Sequence, residues 1–185
     1  SDINENINVS EMVKFASNVL NKRESITLNA QEALTYSQLV QVGSSAGGAR
    51  AKALIAWNAK TNEIKSGQLN LDKDYDYWLM KFDNVLKNGD HGLEDVPEYT
   101  LIEYAYYKMA LDAGIQMNEC RIYSKAGENH FMTKRFDRID GKKVHMQSLG
   151  AIAHISYKEP RLCSYEMAAQ YMQEMNLPMK DIEQF

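Results

Sequence analysis

The chain has 185 residues, with Lys+Arg 21 against Asp+Glu 25 for a formal net charge of −4, and it is 44% hydrophobic and 25% charged. These are ordinary globular proportions for about one domain, and they disfavour a disordered chain. The mildly acidic balance gives no general electrostatic reason to bind nucleic acid or an anionic membrane. Two cysteines, Cys120 and Cys163, allow neither a disulfide framework nor a paired-cysteine zinc site. The longest uncharged run, 33–49, is rich in Gln, Ser and Gly and could not span a bilayer. The N-terminus lacks the basic start and apolar core of a signal peptide. The expectation is a soluble, reducing, cytoplasmic protein that does not engage a membrane.

Along the chain, Ser10 precedes apolar residues at Met12, Val13, Phe15, Ala16, Val19 and Leu20, which predicts a helix capped by Ser10. Residues 21–35 carry no strong period and read as a linker. The apolar 39–42 runs into the Gly-rich stretch Gly43-Ser44-Ser45-Ala46-Gly47-Gly48-Ala49. Residues 53–57 predict a buried strand, 58–63 a polar turn, and 64–71 a second extended piece completing a hairpin. Residues 77–82 predict another strand. Pro97 suits a first helical position with Glu98 in the first turn. Leu101, Ile102, Ala105, Met109, Ala110 and Ala113 then recur at three to four, and Gly114 closes that helix.

Residues 120–123, a turn containing Gly127, and 130–136 predict an antiparallel pair. After Gly141 the character turns helical, weakly over 147–155 and then over 165–175, with Ser164 as cap and Pro178 as stop. Residues 179–185 begin a helical pattern without a C-cap, as in a chain cut within a helix. Met167, Met172 and Met175 read as core contacts.

The Gly-rich stretch admits four readings. Gly43-x-Ser45-x-Gly47 fits a nucleophile elbow in short form, yet a strand follows it and no compelling downstream Asp and His pair stands out. A Walker-type loop needs Lys directly after its second glycine, where Gly48 is followed by Ala49. A flexible loop could cover nucleotide phosphates with its backbone N–H groups, with Arg50 and Lys52 adding positive charge. A Gly/Ser turn without a ligand is the fourth reading, and such turns are abundant.

Lys81 bears on the third. In 78–82, Trp78, Met80 and Phe82 share one strand face and Leu79 and Lys81 the other. An ammonium in so apolar a strand must reach water, a carboxylate or a bound anion; an edge-strand lysine in water would satisfy this equally. A phosphate-gripping lysine on the strand after a Gly-rich loop, paired to a glutamate on the next helix, is a kinase arrangement, and Glu103 is available. Segment 131–138 reads either as a kinase-like hinge meeting adenine through backbone groups, or as a basic surface patch of Lys134, Arg135, Arg138, Lys142 and Lys143. The four histidines, His91, His130, His145 and His154, have no metal-ligand spacing and read as structural or exposed.

Four motifs together resemble HipA-like serine/threonine kinases, the toxins of bacterial toxin–antitoxin pairs. They are Ser45-Ala46-Gly47-Gly48-Ala49-Arg50-Ala51-Lys52-Ala53, Trp78-Leu79-Met80-Lys81-Phe82, the helix around Glu103 ending Met109-Ala110-Leu111-Asp112-Ala113-Gly114-Ile115, and His130-Phe131-Met132-Thr133-Lys134-Arg135-Phe136-Asp137-Arg138. The match runs from about residue 36 to the end. The resemblance implies an α+β, protein-kinase-like nucleotide-binding lobe, an antiparallel sheet with a central helix, followed by the first helices of a helical lobe. The implied organisation is an N-terminal helix and linker at 1–35, the nucleotide-binding lobe at 36–140 and the start of the helical lobe at 141–185.

The resemblance further implies ATP and magnesium as cofactors, with Ser45, Ala46, Gly47, Gly48 and Ala49 in the phosphate loop. Lys81 would hold the phosphates, and Lys134 to Phe136 would form the hinge around adenine. Glu103 falls where the family has a recurrent acid, and its pairing with Lys81 is an inference from the order of the motifs. Ser45 matches a loop serine that such kinases autophosphorylate, inactivating themselves. Implied partners are a helix-turn-helix antitoxin, DNA only through that antitoxin, and a protein substrate such as an aminoacyl-tRNA synthetase. The family's Arg-Asn-x-Asp-Asp-His catalytic loop and later metal-binding Asp do not occur in this sequence, so no catalytic or metal residue is assigned. Two readings stand: part of an active kinase that continues beyond Phe185, or a noncatalytic nucleotide- or antitoxin-binding module.

Overall fold

Alternation along strand β1 (Lys52–Asn58) separates two unlike faces, and the first of the molecule's two units is organised around that difference. The computed structural model describes residues 6–20, 36–37, 50–83, 85, 98–156, 159 and 161–185. The fold is α+β. Helix α1 (Val9–Leu20) precedes β1, β2 (Glu63–Ser66) and β3 (Asp76–Lys81); helix α2 (Tyr99–Asp112) leads to β4 (Cys120–Lys125) and β5 (Glu128–Lys134). These five strands form one antiparallel sheet in the order β2-β1-β3-β5-β4. A small hairpin of β6 (Arg138–Ile139) and β7 (Lys142–Lys143) ends the unit, which spans residues 1–143.

One sheet face carries Ala53, Ile55, Trp78, Met80, Phe82, Met132 and Tyr123 into a core closed by Val9, Met12, Val13, Phe15 and Ala16 of α1. Helix α1, set apart with its linker by the sequence reading, thus shares the sheet's core. Its cap is Asn8, whose Oδ1 accepts from Ser10 N at 3.1 Å, so the expected Ser10 cap is corrected. Both residue types cap well; burial of Val9 starts the helix two residues earlier than expected. Just before it, Ile7 N donates to Ile64 O at 2.6 Å and Asn6 Oδ1 accepts from Ile64 N at 2.9 Å, covering the β2 edge.

The expected strand 64–71 stops at Ser66 because the chain turns at Gly67. A Cβ there would lie 2.7 Å from the backbone carbon of Leu54, and Gly67 N donates to Leu54 O at 3.0 Å. The β4–β5 pair matches the sequence expectation closely. Its two-residue link has Ala126 at φ 53° and Gly127 at φ 82°, a turn whose twist suits antiparallel strands.

Helix α2 forms where expected but is rotated. Its anticipated apolar face includes Ile102, 45% exposed, and Met109, 62% exposed, while Thr100 is its buried residue. Polar anchors override the apolar period. Thr100 Oγ1 donates to Asn129 O at 2.5 Å, and Asp83 accepts from Glu98 N at 3.3 Å and from Asn129 N at 3.1 Å. Glu98, expected in the first turn, precedes the helix at φ 67°; Pro97 lies outside the described residues.

The second unit, residues 144–185, holds helices α3 (Leu149–Ile152), α4 (Tyr165–Glu174) and α5 (Met179–Gln184). Ser148 and Ser164 cap the first two, accepting from Ala151 N at 3.2 Å and Met167 N at 3.3 Å. Ala168 is buried there, but Met167 and Met175 are exposed and Met172 is partly so, against the expectation of core contacts. Three helices this short enclose little volume. Among the described residues no helix is long and apolar enough to cross a membrane.

Two stability predictions follow from this packing. Gly67→Ala forces a methyl against β1 backbone and should lower unfolding free energy by about 2 kcal/mol in urea titration; an unchanged midpoint would remove the close approach. His130 is buried between Phe82 and Tyr123, and its Nδ1 accepts from Asp83 N at 3.1 Å. Nε2 has no hydrogen-bond partner, with Glu128 Oε2 3.6 Å away. Burial pushes its pKa down to about 4, against a smaller opposing effect of Asp83, so His130 is neutral near pH 7 and that contact is no ion pair. Between pH 6.5 and 4 the unfolded chain then binds more protons than the folded one. The stabilisation is complete above about pH 6.5 and should fall by roughly 2 kcal/mol on acidification to pH 5. His130→Gln, which keeps an acceptor, should flatten that slope; equal slopes for both proteins would contradict it.

Candidate functional site

The second sheet face differs in kind from the first. The register places Lys52 opposite Lys81, Leu54 opposite Leu79 and Ala56 opposite Tyr77, with Phe131 and Thr133 continuing the face on β5. Two ammonium groups therefore stand side by side at one end of an otherwise apolar surface. Lys52 is 2% exposed. Its pKa is lowered from the ordinary lysine value, first by burial, then by the Lys81 charge, with Glu103 opposing.

Helix α2 supplies the counter-charge. Lys81 Nζ lies 2.6 Å from Glu103 Oε2, and Arg50 Nη1 lies 3.5 Å from Glu103 Oε1. Lys81 Nζ also sits 5.9 Å from the Phe131 ring centroid. Arg50 and Lys81 thus meet one carboxylate, each of the three side chains about a quarter exposed, with Lys52 buried beside Lys81. Cations in excess on a partly dry surface favour an anionic ligand. The sequence offers Arg50 and Lys52 as charge beyond the Gly-rich stretch and as part of the first resemblance motif. Lys52, beside the apolar 53–57, is like Lys81 an ammonium in an apolar strand.

Residues 134–136, expected to form a hinge, lie elsewhere. Lys134 is three residues along β5 from Phe131, the partner of Lys81, a separation of about 10 Å. Its side chain reaches Asp76 Oδ1 at 2.8 Å and shares the face of Met132. Its N–H donates to Glu119 O at 2.8 Å, and its carbonyl accepts from Asn118 Nδ2 at 3.1 Å. The carbonyl keeps a second lone pair. Phe136 is 66% exposed. The structure therefore brings Lys81 and Glu103 together but not the Lys134 side chain with them. Ser45, Ala46, Gly47, Gly48 and Ala49 lie outside the described residues.

The basic run after Lys134 is mostly internal support. Arg135 grips Asp137 through two bonds of 2.8 and 2.6 Å; these, opposed by burial, lower the Asp137 pKa. Arg138 is 8% exposed, lies 4.5 Å from the Tyr77 ring centroid and donates to Gly67 O at 3.0 Å. Burial and then the Arg135 charge lower its pKa from the ordinary arginine value. Two cavities of about 460 Å³ each border the β6–β7 hairpin, and neither is lined by Lys52, Lys81 or Glu103. The cation cluster marks the candidate site. Among the described residues no three of His, Cys, Asp or Glu gather as a metal ion would require.

Comparison with curated proteins and with solved structures returns no match. The model of one family, the HipA-like C-terminal domain, matches residues 44–185. That span begins beyond helix α1 and includes the cation cluster, the five-stranded sheet and the second unit, and the chain belongs to the HipA-like family.

Proposed function

We propose that this chain is the nucleotide-binding part of a HipA-like serine/threonine protein kinase, a cytoplasmic toxin of a toxin–antitoxin pair. The observation that carries the reading is the Lys81–Glu103 ion pair, set beside Lys52 at one end of an apolar sheet face. The five-stranded sheet with α2 against it is then a kinase-like lobe, and the second unit supplies the first helices of a helical lobe.

ATP supplies the transferable phosphoryl group in such an enzyme. Lys81 and Lys52 hold the phosphates through charge, with 45–49 covering them, while Glu103 orients Lys81. Leu54, Leu79 and Thr133 offer a mainly apolar surface to adenine. The Lys134 carbonyl and the Phe136 backbone face its hydrogen-bonding edge. Magnesium would accompany the phosphates in such an enzyme. Partners in this reading are a helix-turn-helix antitoxin, DNA through that antitoxin, and a protein substrate such as an aminoacyl-tRNA synthetase.

Calorimetry with MgATP tests the nucleotide site. The chain 1–185 should bind weakly, and Lys81→Met should weaken binding at least about tenfold, because the phosphates lose a charge partner. Binding that survives this substitution unchanged would remove Lys81 from the role. Ser45→Asp, adding negative charge beside the phosphates, should also lower affinity; equal affinities would eliminate the switch.

With radiolabelled ATP and magnesium, 1–185 should label no protein, since its sequence lacks the Arg-Asn-x-Asp-Asp-His loop. A kinase chain containing that loop should label its substrate. Nucleotide binding in a natural protein that never transfers phosphate would favour the noncatalytic module.

A further inference from the structure

Arg50 stands just before β1 and makes two contacts with the first turns of α2. Its guanidinium carbon is 3.7 Å from the centroid of the Tyr99 ring. Its Nη1 is 3.5 Å from Glu103 Oε1, while Glu103 Oε2 takes Lys81 Nζ at 2.6 Å. Tyr99 and Glu103 are four residues apart on α2, so ring and carboxylate share one helix face, a turn apart.

Arginine is matched to this pair of contacts. Its planar group can stack on a ring and still donate from its edge, whereas an ammonium is a compact point charge that cannot do both. A 3.5 Å ion pair at a quarter-exposed carboxylate adds little energy by itself. Its effect is directional. Glu103 has a second cation within electrostatic reach, because its charge acts on Lys52. A carboxylate free to rotate would divide itself between two lysines that face each other across β1 and β3.

We infer that Arg50 is a positioning residue: held between Tyr99 and Glu103, it keeps the carboxylate turned toward Lys81 and away from Lys52. Lys81 is then held in one place for a polyphosphate, a consequence that rests on the nucleotide reading above. The start of β1 and helix α2 are also tied at a fixed spacing.

The test is a double-mutant cycle in 1–185 between Arg50→Gln and Glu103→Gln. Two readouts are followed, MgATP affinity by calorimetry and the Lys52 titration by NMR of labelled lysine side chains. Arg50→Gln should weaken MgATP binding about fivefold and raise the Lys52 titration, and in the Glu103→Gln background it should change affinity by less than about twofold. Tyr99→Leu, which removes no charge, should move both readouts in the same direction as Arg50→Gln. Arg50→Lys should restore only part of the loss. Equal losses in both backgrounds, or a Tyr99→Leu protein with unchanged readouts, would overturn the clamp. If unmodified 1–185 binds no nucleotide, the nucleotide reading fails. The Lys52 titration still decides the clamp, since no movement in Arg50→Gln overturns it.

Discussion

A lysine ammonium on a strand flanked by Trp78, Leu79, Met80 and Phe82 must reach water, a carboxylate or a bound anion, and Glu103 meets it at 2.6 Å. That pair and the Thr100 and Asp83 bonds together set the rotation of α2. With Glu103 turned to the sheet and Thr100 bonded to Asn129, Ile102, Tyr106 and Met109 are left outward. Hydrophobic burial is non-directional and tolerates a rotated helix, whereas a short ion pair and a buried hydroxyl bond do not. The polar anchors therefore win over the apolar stripe.

The two sheet faces divide the work of the unit. One is closed by α1 and holds the residues whose burial stabilises the fold. The other keeps Lys52, Lys81 and an apolar surface next to α2. Along the far end, Arg135 and Arg138 reach Gly67, so the segment after β5 is locked to the turn after β2. The frame around the cation cluster is thus hydrogen-bonded along one end and charged next to α2.

Much of this was legible in the chain. The β4–β5 hairpin is announced by Gly127 between two apolar runs, β1 and β3 by short apolar runs, and Lys81 by its incongruity within one of them. What escaped depends on tertiary contact. The early stop of β2 follows from Gly67 lying against Leu54, a proximity no local pattern encodes. The facing of α2 follows from partners on β3 and β5, and the Arg50 contacts depend on Tyr99 across the fold. Asn8 rather than Ser10 caps α1 because tertiary burial of Val9 selects among adequate caps.

The strand order has a consequence for synthesis on the ribosome. β3 lies at the centre of the sheet, and one of its edges is completed only by β5. As the chain emerges in order, β1 can pair with both β2 and β3 while the other edge of β3 still presents open backbone groups. That edge stays a template for foreign strands until residue 134 has left the exit tunnel, and unpaired edges of this kind are where nascent chains aggregate. The β4–β5 hairpin, short-range and closed by a two-residue turn, forms fast enough to arrive as a preassembled unit. A ribosome pausing between α2 and β5 would prolong the exposure, whereas one pausing after β5 would not.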